Sequence, residues 1–175
     1  MKKILAFAAS NSSTSINGKL IKYAEDFLKE KHEVTIIDIN DFEMPIFSVD
    51  RKANDGVPDL ANKLSQLIAE SDGVLISFAE HNGAYSAAFK NIFDWISMIP
   101  KQKAWHDKDM VLMATSPGAR GGKTVLEIAE NRFPFNGGNV LGTFSLPSFE
   151  DNFSPEKGIL DDDLKADFLK ALELF

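Results

Sequence analysis

The sequence predicts an α/β fold, a three-layer sandwich in which a five-stranded parallel sheet of order 2-1-3-4-5 carries helices on both faces. Three observations support this. Apolar runs of strand type alternate with segments of helical period along the whole chain, the pattern of a parallel sheet built with crossover helices. The strand runs are nearly continuous in apolar residues, as strands covered on both faces must be. The chain has 175 residues, and at roughly 150 residues per domain positions 1–175 are expected to form one domain with one core.

The elements follow in order. Ile4 to Ala9 is the first strand, and the helix after it carries Leu20, Ile21, Ala24, Phe27 and Leu28 on one face. Glu33 to Ile39 is the second strand, rich in Val34, Ile36 and Ile37. Asn40 to Gly56, with Pro45 and mixed charges, reads as the longest irregular stretch, and a loop of that length suggests a lid. Leu60, Leu64, Leu67 and Ile68 mark the next helix, Gly73 to Phe78 the third strand, and Phe89, Ile92, Phe93 and Ile96 another helix. Met110 to Thr115 is the fourth strand, followed by a helix with Val125, Ile128 and Ala129. Val140 to Leu146 is the fifth strand. A last helix carries Leu164, Phe168, Leu172 and Phe175, and Asp161, Asp162 and Asp163 sit where acids favour a helix N-terminus. This arrangement matches the flavodoxin-like order, in which ligands bind beyond the carboxyl ends of the strands near the switch point between strands 1 and 3.

Composition narrows the chemistry. The 26 acidic against 19 basic residues give a net charge of -7, which disfavours nucleic acid and anionic membranes as partners. No cysteine is present and there are three scattered histidines, so disulfides, thiol nucleophiles and thiolate or His-rich metal sites are excluded. Lys2 and Lys3 before an apolar run resemble a secretory signal, but six residues fall short of the roughly 7–15 that such a core needs. No run approaches the roughly 18 apolar residues of a membrane span. A cytoplasmic protein is expected.

Three loops should therefore carry function. After strand 1 comes Ser10-Asn11-Ser12-Ser13-Thr14-Ser15-Ile16-Asn17-Gly18, in which every residue but Ile16 and Gly18 bears a hydroxyl or an amide. Hydroxyls and free N–H groups at a helix start suit a phosphate, although Ser15 or Asn17 could equally serve only as an N-cap. After strand 3 comes Ala79-Glu80-His81-Asn82-Gly83-Ala84-Tyr85-Ser86. Its Asn-Gly pair is a hairpin signal, but the helical face that follows argues instead for a glycine that lets backbone approach a flat ligand. His81 reads as a surface or packing residue rather than an acid or base. After strand 4 comes Ser116-Pro117-Gly118-Ala119-Arg120-Gly121-Gly122-Lys123-Thr124. Its tail imitates a nucleotide-triphosphate loop, but Pro117 stands where that motif needs glycine. One loop suited to phosphate and two suited to close backbone approach together fit a planar ligand with a single phosphate, and flavin mononucleotide (FMN) belongs to that class.

At these loops the sequence resembles the NADPH-dependent FMN reductase family of flavodoxin-like flavoproteins, which includes small azo, quinone and chromate reductases. The family's G-S-x-R-x-x-S-x-N is kept at Ser10, Ser15 and Asn17. P-E-Y-N-x-S-Y-S-x-x-L-K-N-x-x-D-W is matched at Glu80, Asn82, Tyr85, Ser86, Lys90, Asn91, Asp94 and Trp95, and S-x-G-x-x-G-G at Ser116, Gly118, Gly121 and Gly122. By resemblance Ser10, Ser15 and Asn17 look like FMN phosphate ligands, and Ser12 and Ile16 of the same loop are expected among the cofactor-binding residues. By the same resemblance Glu80, His81, Asn82, Gly83, Ala84 and Tyr85 would line the ring, with Ser116, Pro117, Gly118, Gly121 and Gly122 again on the ring side. Ser12 stands in place of the usual arginine, Ala9 of glycine, Ala79 of proline and His81 of tyrosine. The missing arginine leaves the choice between NADH and NADPH open. A nest of hydroxyls and N–H groups can still hold a phosphate without a cation.

The resemblance implies an FMN-dependent NAD(P)H oxidoreductase that passes electrons to a flavin, quinone, azo compound or similar small acceptor. The flavin carries the reaction, so no catalytic side chain is required. An FMN-binding electron carrier or interaction module without its own nicotinamide site is the alternative. A phosphoacceptor receiver domain of the same topology is excluded, because Ser10, Asn11 and Ala79 stand where its acidic cluster would be. The helix with Phe89, Phe93, Trp95 and Ile96, followed by Met98 and Ile99, carries more large apolar groups than one face can bury. Together with the resemblance this suggests a homodimer or a dimer-based oligomer.

Overall fold

Strands form where the apolar runs lie. The computed structural model describes residues 1–175. Its main sheet consists of β1 (Lys3–Ala9), β2 (Glu33–Ile36), β3 (Gly73–Phe78), β4 (Lys108–Thr115) and β5 (Gly138–Leu146). All four pairings are parallel and the spatial order is β2-β1-β3-β4-β5. The helices are α1 (Ile16–Leu28), α2 (Val49–Asp55), α3 (Asp59–Glu70), α4 (Ala87–Ser97), α5 (Lys123–Arg132) and α6 (Asp162–Leu172).

The two-residue period of each strand sends alternate side chains to opposite layers. Leu5, Phe7, Val74, Ile76, Phe78, Met110 and Leu112 face α3, α4 and α5. Ile4, Ala6, Leu75, Val111 and Met113 face α1 and α6. Both layers are buried, which is why β3, apart from Ser77, and most of β4 read as apolar sequence. The first layer is the more aromatic. Phe78, Tyr85, Phe89, Phe93, Trp105 and Phe133 stack or meet edge to face, with Trp105 and Phe133 centroids 4.5 Å apart.

Four expectations need correction. β2 ends at Ile36 rather than Ile39; the Ile37 N–H still reaches Ala6 O, but Asp38 caps a 3-10 turn over Ile39–Phe42 through Asn40 N–H at 2.9 Å. The stretch from Asn40 to Gly56 is irregular mainly over residues 43–48, and its first half is no lid. The Asn91 amide bonds Met44 O and accepts from Phe47 N–H, while Trp95 Nε1 donates to Pro45 O at 2.7 Å. Its second half is α2, which buries nothing and so has no apolar stripe to betray it. The apolar surplus of α4 does not reach the surface, because Phe89, Ile92, Phe93, Trp95 and Ile96 are all buried between the sheet, α3 and the 44–47 segment. Finally, Ile128 lies at the edge of its helical face and is exposed.

Candidate cofactor-binding site

The loop after β1 keeps its polar groups to itself. Ser15 caps α1, its Oγ accepting from Gly18 N–H at 3.1 Å. Ser12 Oγ accepts from Thr14 N–H and Ser10 Oγ from Ser12 N–H, both at a long 3.3 Å. Ser12, Ser13 and Thr14 are exposed, and Ser10, Ser15 and Ile16 half-buried. The N–H groups of Asn11, Ser13, Ile16 and Asn17 find no acceptor in the protein, so the helix start offers a set of free donors with the positive end of the α1 dipole behind them.

The Asn17 side chain points the other way. It is buried, its oxygen accepts from Ser77 Oγ at 2.7 Å and Thr115 N–H at 3.0 Å, and its nitrogen donates to Thr115 O at 3.2 Å. This amide ties α1 to the ends of β3 and β4, so only its backbone N–H remains for a ligand.

The segment after β3 is a true hairpin. Glu80–His81 pairs antiparallel with Ala84–Tyr85, and Asn82 (φ 52°) and Gly83 (φ 72°) make the two-residue turn. Two successive positive φ values are those of a type I′ turn, which Asn-Gly favours. The turn is followed directly by α4, so the hairpin reading set aside on sequence is the correct one. Glu80, Tyr85 and Ser86 turn their side chains inward. Glu80 Oε2 accepts from Val125 N–H at 2.9 Å, capping the start of α5, whose own N-cap is Gly122. Ser86 caps α4 and donates to Ala9 O at 2.9 Å. The Tyr85 ring packs on Phe78, Phe89 and Phe133, and burial pushes its hydroxyl pKa far above the usual value, so it stays protonated. His81 is exposed.

The glycines after β4 separate into two kinds. A Cβ on Gly121 (φ 60°) would fall 2.4 Å from Ser145 Oγ and 2.9 Å from the Leu146–Pro147 backbone, and one on Gly122 (φ 77°) 2.8 Å from Ala114 Cβ. Both are demanded by the fold. Gly118 has no positive φ, and its nearest neighbour would be Ser116 Oγ at 3.9 Å, so nothing in the protein requires a glycine there. A bare backbone facing open space, across the rim from unpaired N–H donors, fits a flat ligand with one anionic group. FMN passes this test.

Two concavities flank the rim and a third lies along the sheet edge. An apolar recess of about 260 Å³ lies beside Asn11, walled by Ile39, Met44, Ile46 and Ile92. A cleft of about 350 Å³ runs from the hydroxyl loop between α1 and the end of β2, and brings in Lys19, Lys22 and Asp38. The sequence reading missed these three, although Lys19 and Lys22 follow the loop within a turn and Asp38 ends the second strand. A larger groove, about 780 Å³, follows the free edge of β5 between α5 and α6 and touches the motif loops only at Ala119 and Lys123.

A model of the NADPH-dependent FMN reductase family matches residues 2–151. The chain belongs to this family. Its members are oxidoreductases whose cofactors are FMN and a reduced nicotinamide nucleotide. An uncharacterized Mycoplasma pneumoniae protein (MG342 homolog) is 29% identical over 163 residues, 91% of this chain and 95% of its own. A 2-hydroxy-1,4-benzoquinone reductase from Burkholderia sp is 29% identical over 119 residues, 68% of this chain and 63% of its own. The chain thus spans less than two thirds of that reductase. Among solved structures, the flavoenzyme NAD(P)H:(acceptor) oxidoreductase FerB from Paracoccus denitrificans superposes with a TM-score of 0.79 at 22% identity, over 99% of this chain and 97% of its own. In this FMN reductase family member, the matched Glu80, Ser86, Asn91 and Trp95 are spent on holding the loops together.

Proposed function

We propose that the chain transfers hydride from NADH or NADPH to FMN held at this rim, and electrons onward to a flat, apolar acceptor of the quinone, azo or flavin class. The observation that carries the reading is the cluster of unpaired N–H donors at the start of α1 on the same rim as the unexplained Gly118 backbone. FMN supplies the redox chemistry when bound; the protein supplies position and electrostatics. The N–H groups of Asn11, Ser13, Ile16 and Asn17, with the hydroxyls of Ser10, Ser12 and Ser15, hold the phosphate. Backbone from Glu80 to Tyr85 and from Ser116 to Gly118 lines the ring, and its N–H donors favour negative charge there. Gly121 and Gly122 act by letting that loop pack.

Asn17, Glu80 and Ser86 act by position. Each joins two of the elements that form the rim, which keeps the donors aimed before a ligand arrives. The acceptor uses the recess walled by Met44 and Ile46. A second copy of the chain, packed on the exposed Ile46 and Val49, would close that recess to water, and light scattering at micromolar concentration tests this homodimer; a monomer overturns it.

The deciding experiment is the anaerobic visible spectrum of FMN-loaded protein before and after NADH or NADPH. Bleaching of the flavin band within the turnover time supports the reductase. An electron carrier without a nicotinamide site is the second reading, favoured by Ser12 in place of arginine. It predicts bound flavin that neither nucleotide bleaches. Protein that takes up no FMN overturns both.

A further inference from the structure

Given the flavin reading proposed above, a mononucleotide uses only part of the rim. Its phosphate belongs at the start of α1 and its ring toward the loops after β3 and β4. The cleft between α1 and the end of β2 shares its Ser10, Ser12 and Ser15 wall with that phosphate and extends past it to Ile36, Ile37 and Asp38. In doubly wound sheets that bind dinucleotides, this β2 side of the crevice receives the adenosine end, and an acid at the end of β2 bonds the ribose hydroxyls. The cleft here has matching chemistry. Its volume, about 350 Å³, lies in the range of small-molecule sites. Its lining combines the hydroxyl loop, the apolar Ile21, Ile36 and Ile37, and the charged Lys19, Lys22 and Asp38.

Asp38 is exposed, two residues past the end of β2 and twenty positions after Gly18. One of its oxygens, Oδ1, accepts from both Asn40 N–H and Asn40 Nδ2, each at 2.9 Å. Its other oxygen has no partner in the protein, and no cation lies within 4 Å of the carboxylate. An asparagine would cap the 3-10 turn equally well, so the cap does not account for the charge. An ionised carboxylate with a free oxygen accepts hydrogen bonds from a vicinal diol and repels a phosphate in the same place. Lys22, also without an ion pair, offers a cation for a diphosphate.

We infer that this cleft is a subsite for the adenosine diphosphate part of the nicotinamide donor, and that Asp38 selects a donor with a free ribose 2′-hydroxyl, making NADH the preferred reductant. The chemistry recognised is an adenosine diphosphate with an unmodified ribose diol. A flavin carrying its own adenylate would present the same group, and the experiment separates the two sources.

The test compares FMN-loaded wild type with Asp38→Asn, which keeps the cap, and with Lys22→Gln. Calorimetric titration with ADP-ribose and with its 2′-phosphate reads the subsite without any turnover. Wild type is expected to bind ADP-ribose about tenfold more tightly than the phosphorylated form, and Asp38→Asn to remove most of that difference. The KM for NADH should rise about tenfold in Asp38→Asn with kcat little changed. The reaction with reduced nicotinamide mononucleotide, which lacks the adenosine half, should be untouched. Lys22→Gln should weaken both ADP-ribose forms alike.

Equal binding of the two forms by wild type, or an unaltered preference in Asp38→Asn, overturns the inference. So does a purified protein whose flavin carries an adenylate that occupies the cleft. Loss of FMN affinity in Asp38→Asn would also overturn it, since it would place Asp38 in the flavin site. If ADP-ribose binds as expected but no nicotinamide bleaches the flavin, the functional reading fails while the subsite stands.

Discussion

The loop after β1 and the two segments after β3 and β4 lie on one rim and are equally rich in small and polar residues, yet they use them in opposite ways. Apart from the Ser15 cap, the first spends its hydroxyls only on long contacts within the loop, with each other and with its own N–H groups. The others turn particular polar side chains inward. Glu80 caps a neighbouring helix and Ser86 holds the end of β1, while His81, Asn82 and Arg120 stay exposed. The difference matches what two parts of one ligand need. A phosphate is held by many donors that can adjust, whereas a rigid ring needs a surface that does not move. Asn17 links the two regimes, since its N–H belongs to the first and its side chain to the second.

Breaking that link should have the largest effect. Asn17→Ala removes three buried hydrogen bonds and leaves the Ser77 hydroxyl and the Thr115 N–H and carbonyl short of a partner, so denaturant unfolding should show a loss of about 3 kcal/mol. Gly121→Ala should cost about 2 kcal/mol or more, from the positive φ and the contacts with Ser145 and Leu146. Glu80→Gln should cost about 1 kcal/mol by weakening the charged cap on α5.

The outward-facing groups should behave in reverse. Gly118→Ala and Ser12→Ala should leave unfolding free energy within about 0.5 kcal/mol of wild type. FMN affinity, followed by flavin fluorescence, should fall about tenfold for Gly118→Ala and less for Ser12→Ala. If Gly118→Ala unfolds the protein, or Asn17→Ala leaves stability unchanged, the division between ligand-facing and scaffold residues is wrong.

The smallest effect is a pH dependence away from the rim. His106 Nε2 lies 2.7 Å from Ser65 Oγ, and burial, with Lys108 nearby, lowers its pKa below the usual value. Burial likewise lowers that of His32. A histidine held neutral in the fold but free to protonate when unfolded favours unfolding in acid. Stability should therefore be full above about pH 6.5 and decline as pH falls below it toward the folded pKa. His106→Gln should flatten part of that decline in thermal unfolding curves.

The sheet was legible because burial on both faces writes itself as continuous apolar sequence, and β3 matches its expected bounds residue for residue. α2 was illegible because it buries nothing. The Asn82-Gly83 hairpin was misread because its second strand, Ala84–Tyr85, is only two residues long and runs straight into α4. At the site, residue types located the loops correctly, but type alone could not say which way a side chain faces. Asn17 and Glu80 look like ligands in sequence and are crosslinks in space, because their partners, Thr115 and Val125, lie 98 and 45 positions away. Asn91 and Trp95 pin the 44–47 segment by the same kind of distant contact.

The central claim is that neutral donors at the start of α1 hold a phosphate while the rest of the rim holds a ring. Parallel titrations of the protein with FMN and with riboflavin, which differ only in that phosphate, test it most directly. FMN should bind tighter by at least about a hundredfold. Equal affinity for the two would contradict the account.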